Sequence, residues 1–133
     1  MTTPTSRLVR HVDEIPHEQW HDPRRGGATW QTFFSRDTTP TTGMTTGVST
    51  VPPGQALACH RHEIIESYFF IQGHGVLTLG EDQYDVEAGS AAHIPSLTLH
   101  GVLNTSSKAL QFFYVFATDS FADVRYEFLT GSA

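Results

Sequence analysis

The chain is poor in cysteine and in positive charge. Cys59 is the single cysteine among 133 residues, so no disulfide can close within the chain. A lone cysteine of this kind is expected to be a small buried side chain, and on a strand it would project away from the face of its neighbour His60. Lysine and arginine number only eight against fourteen acidic residues, a net charge of −6. The eight are scattered rather than striped, which removes the electrostatic footprint of a nucleic-acid-binding protein. No apolar run approaches the roughly 18 residues that span a bilayer, and the Thr-rich start has no apolar stretch of the kind a secretion signal needs. The expectation is a cytoplasmic protein with neither a membrane nor a nucleic acid as partner. Long helical periodicity is missing as well. The two helix candidates are short: residues 13–20, and residues 120–129, where Phe121, Val124 and Phe128 could share one apolar face.

What is present is the periodicity of strands. Residues 44–51 mix β-branched with small side chains and stop at Pro52, Pro53 and Gly54, a turn signal. Residues 66–72, 75–79, 91–94, 98–104 and 109–116 follow, punctuated by Gly73, Gly80, Gly89, Pro95 and the polar run Asn104 to Lys108. Short strands at such spacing indicate an all-β sandwich or barrel, and a chain of this length suits one domain with one core. The division expected is an N-terminal arm over about 1–40, a barrel over about 41–118 and a C-terminal segment over 119–133, with the Thr/Pro-rich stretch 37–46 as the loop into the first long strand. In the last strand Phe112, Tyr114 and Phe116 must share one face and Phe113 and Val115 the other. One set is core; the other lines a pocket or a subunit contact.

Four polar residues stand out against this background. His60 and His62 are two apart, so on an extended strand they point the same way and can clamp one ion. Glu66 is in phase with them if the strand resumes after a short irregularity, with Tyr68 and Phe70 following on that face. Glu63, next to His62, would point to the opposite side, which favours Glu66 as the ligand. His100 supplies a third imidazole. Three neutral imidazoles and a carboxylate suit iron, manganese, cobalt, nickel or zinc, and an octahedral ion so held keeps two positions open for water or substrate. His74 and His93 fall outside the pattern and read as surface or pocket residues.

The spacing of Gly54, His60, His62, Glu66 and Gly73, followed by that of Gly89, Pro95, His100 and Asn104, resembles the two signature motifs of the cupin superfamily. That resemblance implies a jelly-roll β-barrel of the cupin type, with the metal inside it and homodimers formed through the sheets. The apolar outer face of residues 109–116 would suit such a contact. One departure is visible. The second motif usually has glycine two residues after the proline, where this chain has Leu97, and glycine there permits a tight turn.

A closer similarity is to the small single-domain cupin lyases that cleave dimethylsulfoniopropionate. It rests on the ligand spacing, Trp30, Gly43 to Gly47 before the first motif, Tyr68 two positions after the carboxylate, and the ending from Phe116 through Asp119 and Phe121 to Tyr126. The resemblance implies Tyr68 as the base and Tyr126 as a second pocket tyrosine, acting on a small carboxylate by proton abstraction and β-elimination. Trp30, Phe112 and Tyr126 could face a sulfonium by cation–π attraction, and Tyr114 is a further pocket candidate. An Fe(II) dioxygenase, a non-catalytic ligand-binding cupin and an isomerase stand as alternative readings of the same ligands.

Overall fold

The computed structural model describes residues 8–129. Eleven strands run through them: β1 Glu18–Gln19, β2 Thr29–Phe34, β3 Thr45–Val51, β4 Ala56–Arg61, β5 Glu66–Gln72, β6 His74–Leu79, β7 Asp82–Glu87, β8 Ala91–Ile94, β9 His100–Asn104, β10 Leu110–Phe116 and β11 Glu127–Phe128. They form two antiparallel sheets, one in the order β1-β2-β3-β10-β5-β8 and the other β11-β4-β9-β6-β7. This is the all-β fold expected from the strand periodicity, in the jelly-roll form that the motif resemblance implies.

Alternation decides which side chains enter the space between the sheets. Along β5, Glu66, Tyr68 and Phe70 are buried while Ser67, Phe69 and Ile71 are exposed; along β10, Leu110, Phe112, Tyr114 and Phe116 are buried. The two strands pair with Tyr114 opposite Tyr68 and Phe112 opposite Phe70, so the aromatic side chains mesh in one layer. Gly47 lies opposite Tyr114 on β3, and a β-carbon there would collide with the phenol ring, which only glycine avoids. Asn104 locks the far end. Its buried amide donates to the carbonyls of Val51 (2.8 Å) and Lys108 (2.7 Å) and accepts from the Ser106 amide (2.8 Å) and hydroxyl (2.9 Å).

Neither expected helix forms. Residues 13–20 give a single 3₁₀ turn, Val12–Glu14, because Pro16 cannot donate to a continuing helix, and the chain then extends into β1. Residues 120–129 give a 3₁₀ turn, Phe121–Asp123, capped by the Ser120 hydroxyl, and then β11. Phe121 and Val124 do face the core, but from a turn and an extended segment. β2 and β7 are strands that the periodicity missed. β7 is an edge strand whose only buried residue is Val86, so its sequence is polar along its length, as suits an exposed edge. The first seven residues of the arm and the last four of the C-terminal segment lie outside the described residues.

Candidate metal centre

His60 comes from the end of β4 and His62 from the residue just after it, His100 begins β9 and Glu66 begins β5. His60 and His100 are direct cross-strand partners, with ring centroids 4.1 Å apart, which is how residues forty positions apart in sequence meet. The pairing of β4 with β9 is irregular between Leu57 and His60. Both are buried, yet three residues apart on a regular strand means opposite faces. The bulge supplies the extra step that turns His60 inward, a device common beside functional sites. Glu66 does not continue the strand of His60. After four linking residues it opens β5 in the other sheet, so its carboxylate meets the histidines from across the barrel rather than from the same face.

The ligand atoms of His60, His62 and His100 lie within 4.8 Å of one another, and all three side chains are buried. Each ring is oriented the same way. The Nδ1 atoms sit 2.7 Å from the Ala58 carbonyl, 2.8 Å from the Ile64 carbonyl and 2.9 Å from the Thr98 carbonyl respectively. A carbonyl can only accept, so each Nδ1 carries its proton, and in the neutral ring each Nε2 is a bare lone pair. The Glu66 carboxylate oxygen Oε1 stands 3.1 Å from His62 Nε2 and 3.4 Å from His100 Nε2. His100 Nε2 is buried without a hydrogen-bond partner. Lone pairs and a carboxylate turned toward one another repel unless a positive charge sits among them. Burial holds His60 well below its ordinary value of 6.5, and a positive His100 beside it would push the same way. A proton is therefore a poor candidate for that charge at His60. The three imidazole nitrogens could hold a metal ion, and the Glu66 carboxylate lies beside two of them.

Glu63 is exposed, as are His74 and His93. Cys59 is half-buried, with its sulfur against Gly101 of the neighbouring strand. Leu97 adopts φ 60°, the left-handed conformation that glycine would take at that place. Its amide donates to the His62 carbonyl at 2.8 Å, so the loop before His100 keeps its turn and is tied to a second candidate ligand despite the side chain.

Aromatic rings wall the remaining space. Tyr68 and Phe112 pack at 4.2 Å between centroids, and Tyr126 lies 5.1 Å from the His60 ring and 5.3 Å from that of His62. Trp30 stacks on Phe121, and Tyr114 joins the wall with its hydroxyl 3.2 Å from the Thr32 hydroxyl. The free space among these rings is about 30 Å³, room for one or two waters. Burial, then the negative charge of Glu66, raises both Tyr68 and Tyr126 well above the usual phenol value of 10. Trp20 belongs to this wall too, 4.6 Å from Trp30 and 5.0 Å from Tyr126, though it precedes both motifs. A tryptophan in a polar stretch, two residues ahead of Asp22 and Pro23, was its only trace in the sequence.

Residues 47–116, more than half of the chain, match the cupin domain. The chain belongs to the cupin family. This cupin is 31% identical over 122 residues to the dimethylsulfoniopropionate lyase DddW of Ruegeria pomeroyi, covering 92% of the chain and 79% of that protein. Among solved structures it resembles the polyketide cyclase RemF of Streptomyces resistomycificus, with a TM-score of 0.77 and 17% identity over 91% of this chain and 84% of that one. It also resembles a predicted oxalate decarboxylase from Thermotoga maritima, with a TM-score of 0.71 and 23% identity over 84% and 99% of the two chains. At those identities the structural likeness speaks for the fold alone. No helix among the described residues is long and apolar enough to cross a membrane.

Proposed function

We propose that this cupin is a metal-dependent carbon–sulfur lyase acting on a small carboxylate such as dimethylsulfoniopropionate, releasing dimethyl sulfide and acrylate. The observation that carries the proposal is the convergence of three imidazoles, each oriented by an Nδ1–carbonyl bond, with the Glu66 carboxylate beside two of them, inside a wall of aromatic rings. The 31% identity to a dimethylsulfoniopropionate lyase supports the choice of reaction. His60, His62, Glu66 and His100 would hold one divalent iron, manganese, cobalt, nickel or zinc, which when bound supplies a Lewis acid for the substrate carboxylate and acidifies the neighbouring C–H.

The chain's own residues then do the following. Tyr68 follows Glu66 by two positions on β5 and shares its inward face, which supports its oxygen as the group that would take the proton next to the carboxylate. The electron pair of that C–H forms the double bond of acrylate, the C–S bond breaks, and dimethyl sulfide leaves as a neutral molecule. Burial keeps Tyr68 protonated in the bare protein, and the charge of a bound cation acts in the opposite direction. Tyr126, which lines the same cavity beside His60 and His62, would orient the substrate. Trp30 and Phe112 supply ring faces that suit a sulfonium, while Tyr114, held by Thr32, shapes the wall. The proposal includes a homodimer formed through the outer face of β10 and β5, where Phe113 and Val115 stand beside the exposed Phe69 and Ile71.

Two measurements test the reading. Metal analysis of the wild type, His62→Ala and His100→Ala should give about one ion in the first and strong loss in the variants; full occupancy and unchanged activity in both variants would refute the ligand set. Dimethylsulfoniopropionate turnover in an oxygen electrode, with dimethyl sulfide detected in parallel, should consume no O2. Stoichiometric O2 uptake would make the protein a dioxygenase instead.

A further inference from the structure

Arg24 and Arg25 sit side by side with one carboxylate between them. Asp22 caps the 3₁₀ turn Pro23–Arg25 and is taken by Arg24, whose Nε and Nη2 each lie 3.1 Å from one of its two oxygens. That forked geometry uses both carboxylate oxygens. The Arg25 amide donates to the Asp22 carbonyl at 3.0 Å, but its guanidinium has no ion pair or hydrogen bond among the described residues. It is half-buried, and its guanidinium carbon lies 5.0 Å from the ring centre of Trp20 and 4.6 Å from that of Phe128.

The turn is not free to carry this charge away. Gly26 ends it at φ 98° and bridges to Leu57 on β4, a β-carbon on Gly26 would strike the Ala56 carbonyl, and the Gly27 amide donates to that same carbonyl at 2.9 Å. Arg25 is thereby pinned to β4, the strand that carries His60. Phe128 is the cross-strand partner of His60, with ring centroids 4.9 Å apart, so one aromatic ring separates the guanidinium from a candidate metal ligand. On its outer side Arg25 borders an open groove of about 380 Å³ that shares Trp20 and Trp30 with the inner cavity. Asp22 also lines this groove, but its carboxylate is taken up by Arg24, so in a chain of net charge −6 the Arg25 guanidinium, with five N–H donors and no acceptor, is the groove's unpaired charge and attracts an anion.

We propose that the groove over Trp20 and Trp30 is the entry site for a small carboxylate and that Arg25 is the group that selects it. This uses only the part of the functional reading that makes the ligand a carboxylate. It stands whether the subsequent chemistry is elimination or oxidation.

Trp20 and Trp30 are the only tryptophans in the chain, so tryptophan emission reports on this groove and the inner cavity it adjoins. Emission would be quenched with iodide, caesium and acrylamide in the protein as purified and after chelation, with Arg25→Gln in parallel. Iodide should quench the wild type several-fold more effectively than caesium. In Arg25→Gln iodide quenching should fall about threefold while acrylamide quenching stays the same. Propionate should protect against iodide in the wild type, with about tenfold weaker protection in Arg25→Gln, as expected for loss of one charge-assisted hydrogen bond. Propionamide, its neutral isostere, should not protect. Persistence of the protection after chelation separates Arg25 from any effect of a bound metal.

The proposal is overturned if iodide and acrylamide quenching change together in the variant, because Arg25 would then only pack. It is equally overturned if propionamide protects as well as propionate. Should Arg25→Gln fold poorly, the wild type decides alone: caesium quenching equal to or above that of iodide refutes an anion-selecting groove.

Discussion

Acid should destabilise the metal-free protein through His60. The imidazole is 1% exposed, and burial holds it well below its ordinary value of 6.5. In the unfolded chain the same ring takes up a proton near pH 6.5. Below that pH the unfolded state binds the proton and the folded state does not, so folding loses stability as the pH falls, at up to about 1.4 kcal/mol per pH unit for one proton. From pH 6.5 to 5.5 this comes to at most about 1 kcal/mol, because at pH 6.5 the unfolded ring is only half protonated. For 133 residues that is about 3–4 °C in Tm. The assay is thermal unfolding of chelated protein between pH 7.5 and 5.5, with His60→Gln as control. The acid-induced drop should shrink in the variant, and equal drops in both proteins would refute the assignment of the acid sensitivity to His60. Reloading the wild type with a divalent metal should raise Tm, by an amount that grows with metal concentration, and steepen the acid loss. Metal-bound imidazoles must all be proton-free, so more protons then distinguish the two states.

Three further outcomes follow from particular contacts. Tyr68→Phe should keep the metal and lower kcat by about 10²–10⁴ if the phenol oxygen is the base; a kcat within about threefold of the wild type would move that role to Tyr126. Leu97→Gly should stabilise the protein by up to about 1 kcal/mol in urea unfolding, since relief of about 1–2 kcal/mol at φ 60° outweighs about 0.5–1 kcal/mol of added chain entropy. A clear loss of stability would mean that the half-exposed leucine side chain packs usefully. Asn104→Ala removes four side-chain hydrogen bonds at a buried site and should cost about 2–4 kcal/mol in the same assay; a loss below about 1 kcal/mol would show that water replaces them.

Local pattern and spacing carry a large part of this protein in the sequence itself. Alternation and turn signals marked β3, β5, β6, β8, β9 and β10 to within a residue or two: β5 and β10 alternate between buried and more exposed positions, whereas β3, buried on both faces, showed through its β-branched residues and the turn that ends it. The edge strand β7 escaped because it has almost no apolar face to betray it, and the two short helices failed because a turn and a strand met their hydrogen-bonding needs better. The spacing of His60, His62, Glu66 and His100 announced a cation site without any structure, since few other uses need three imidazoles and a carboxylate in such order.

Only the tertiary structure decided how those side chains meet. His60 turns inward through a bulge that depends on pairing with β9, and Glu66 faces the histidines from the opposite sheet rather than from their own strand. Both are long-range facts, set by which strands pair. The same holds for Trp20 and Arg25. They lie outside the motifs, and nothing in their neighbours foretells that Gly26 will pin the turn to β4 and bring a guanidinium within one ring of His60. Which side chains a strand can bury is written along the chain, because that depends on neighbours one and two residues away. Which strand lies across the barrel depends on the packing of the whole.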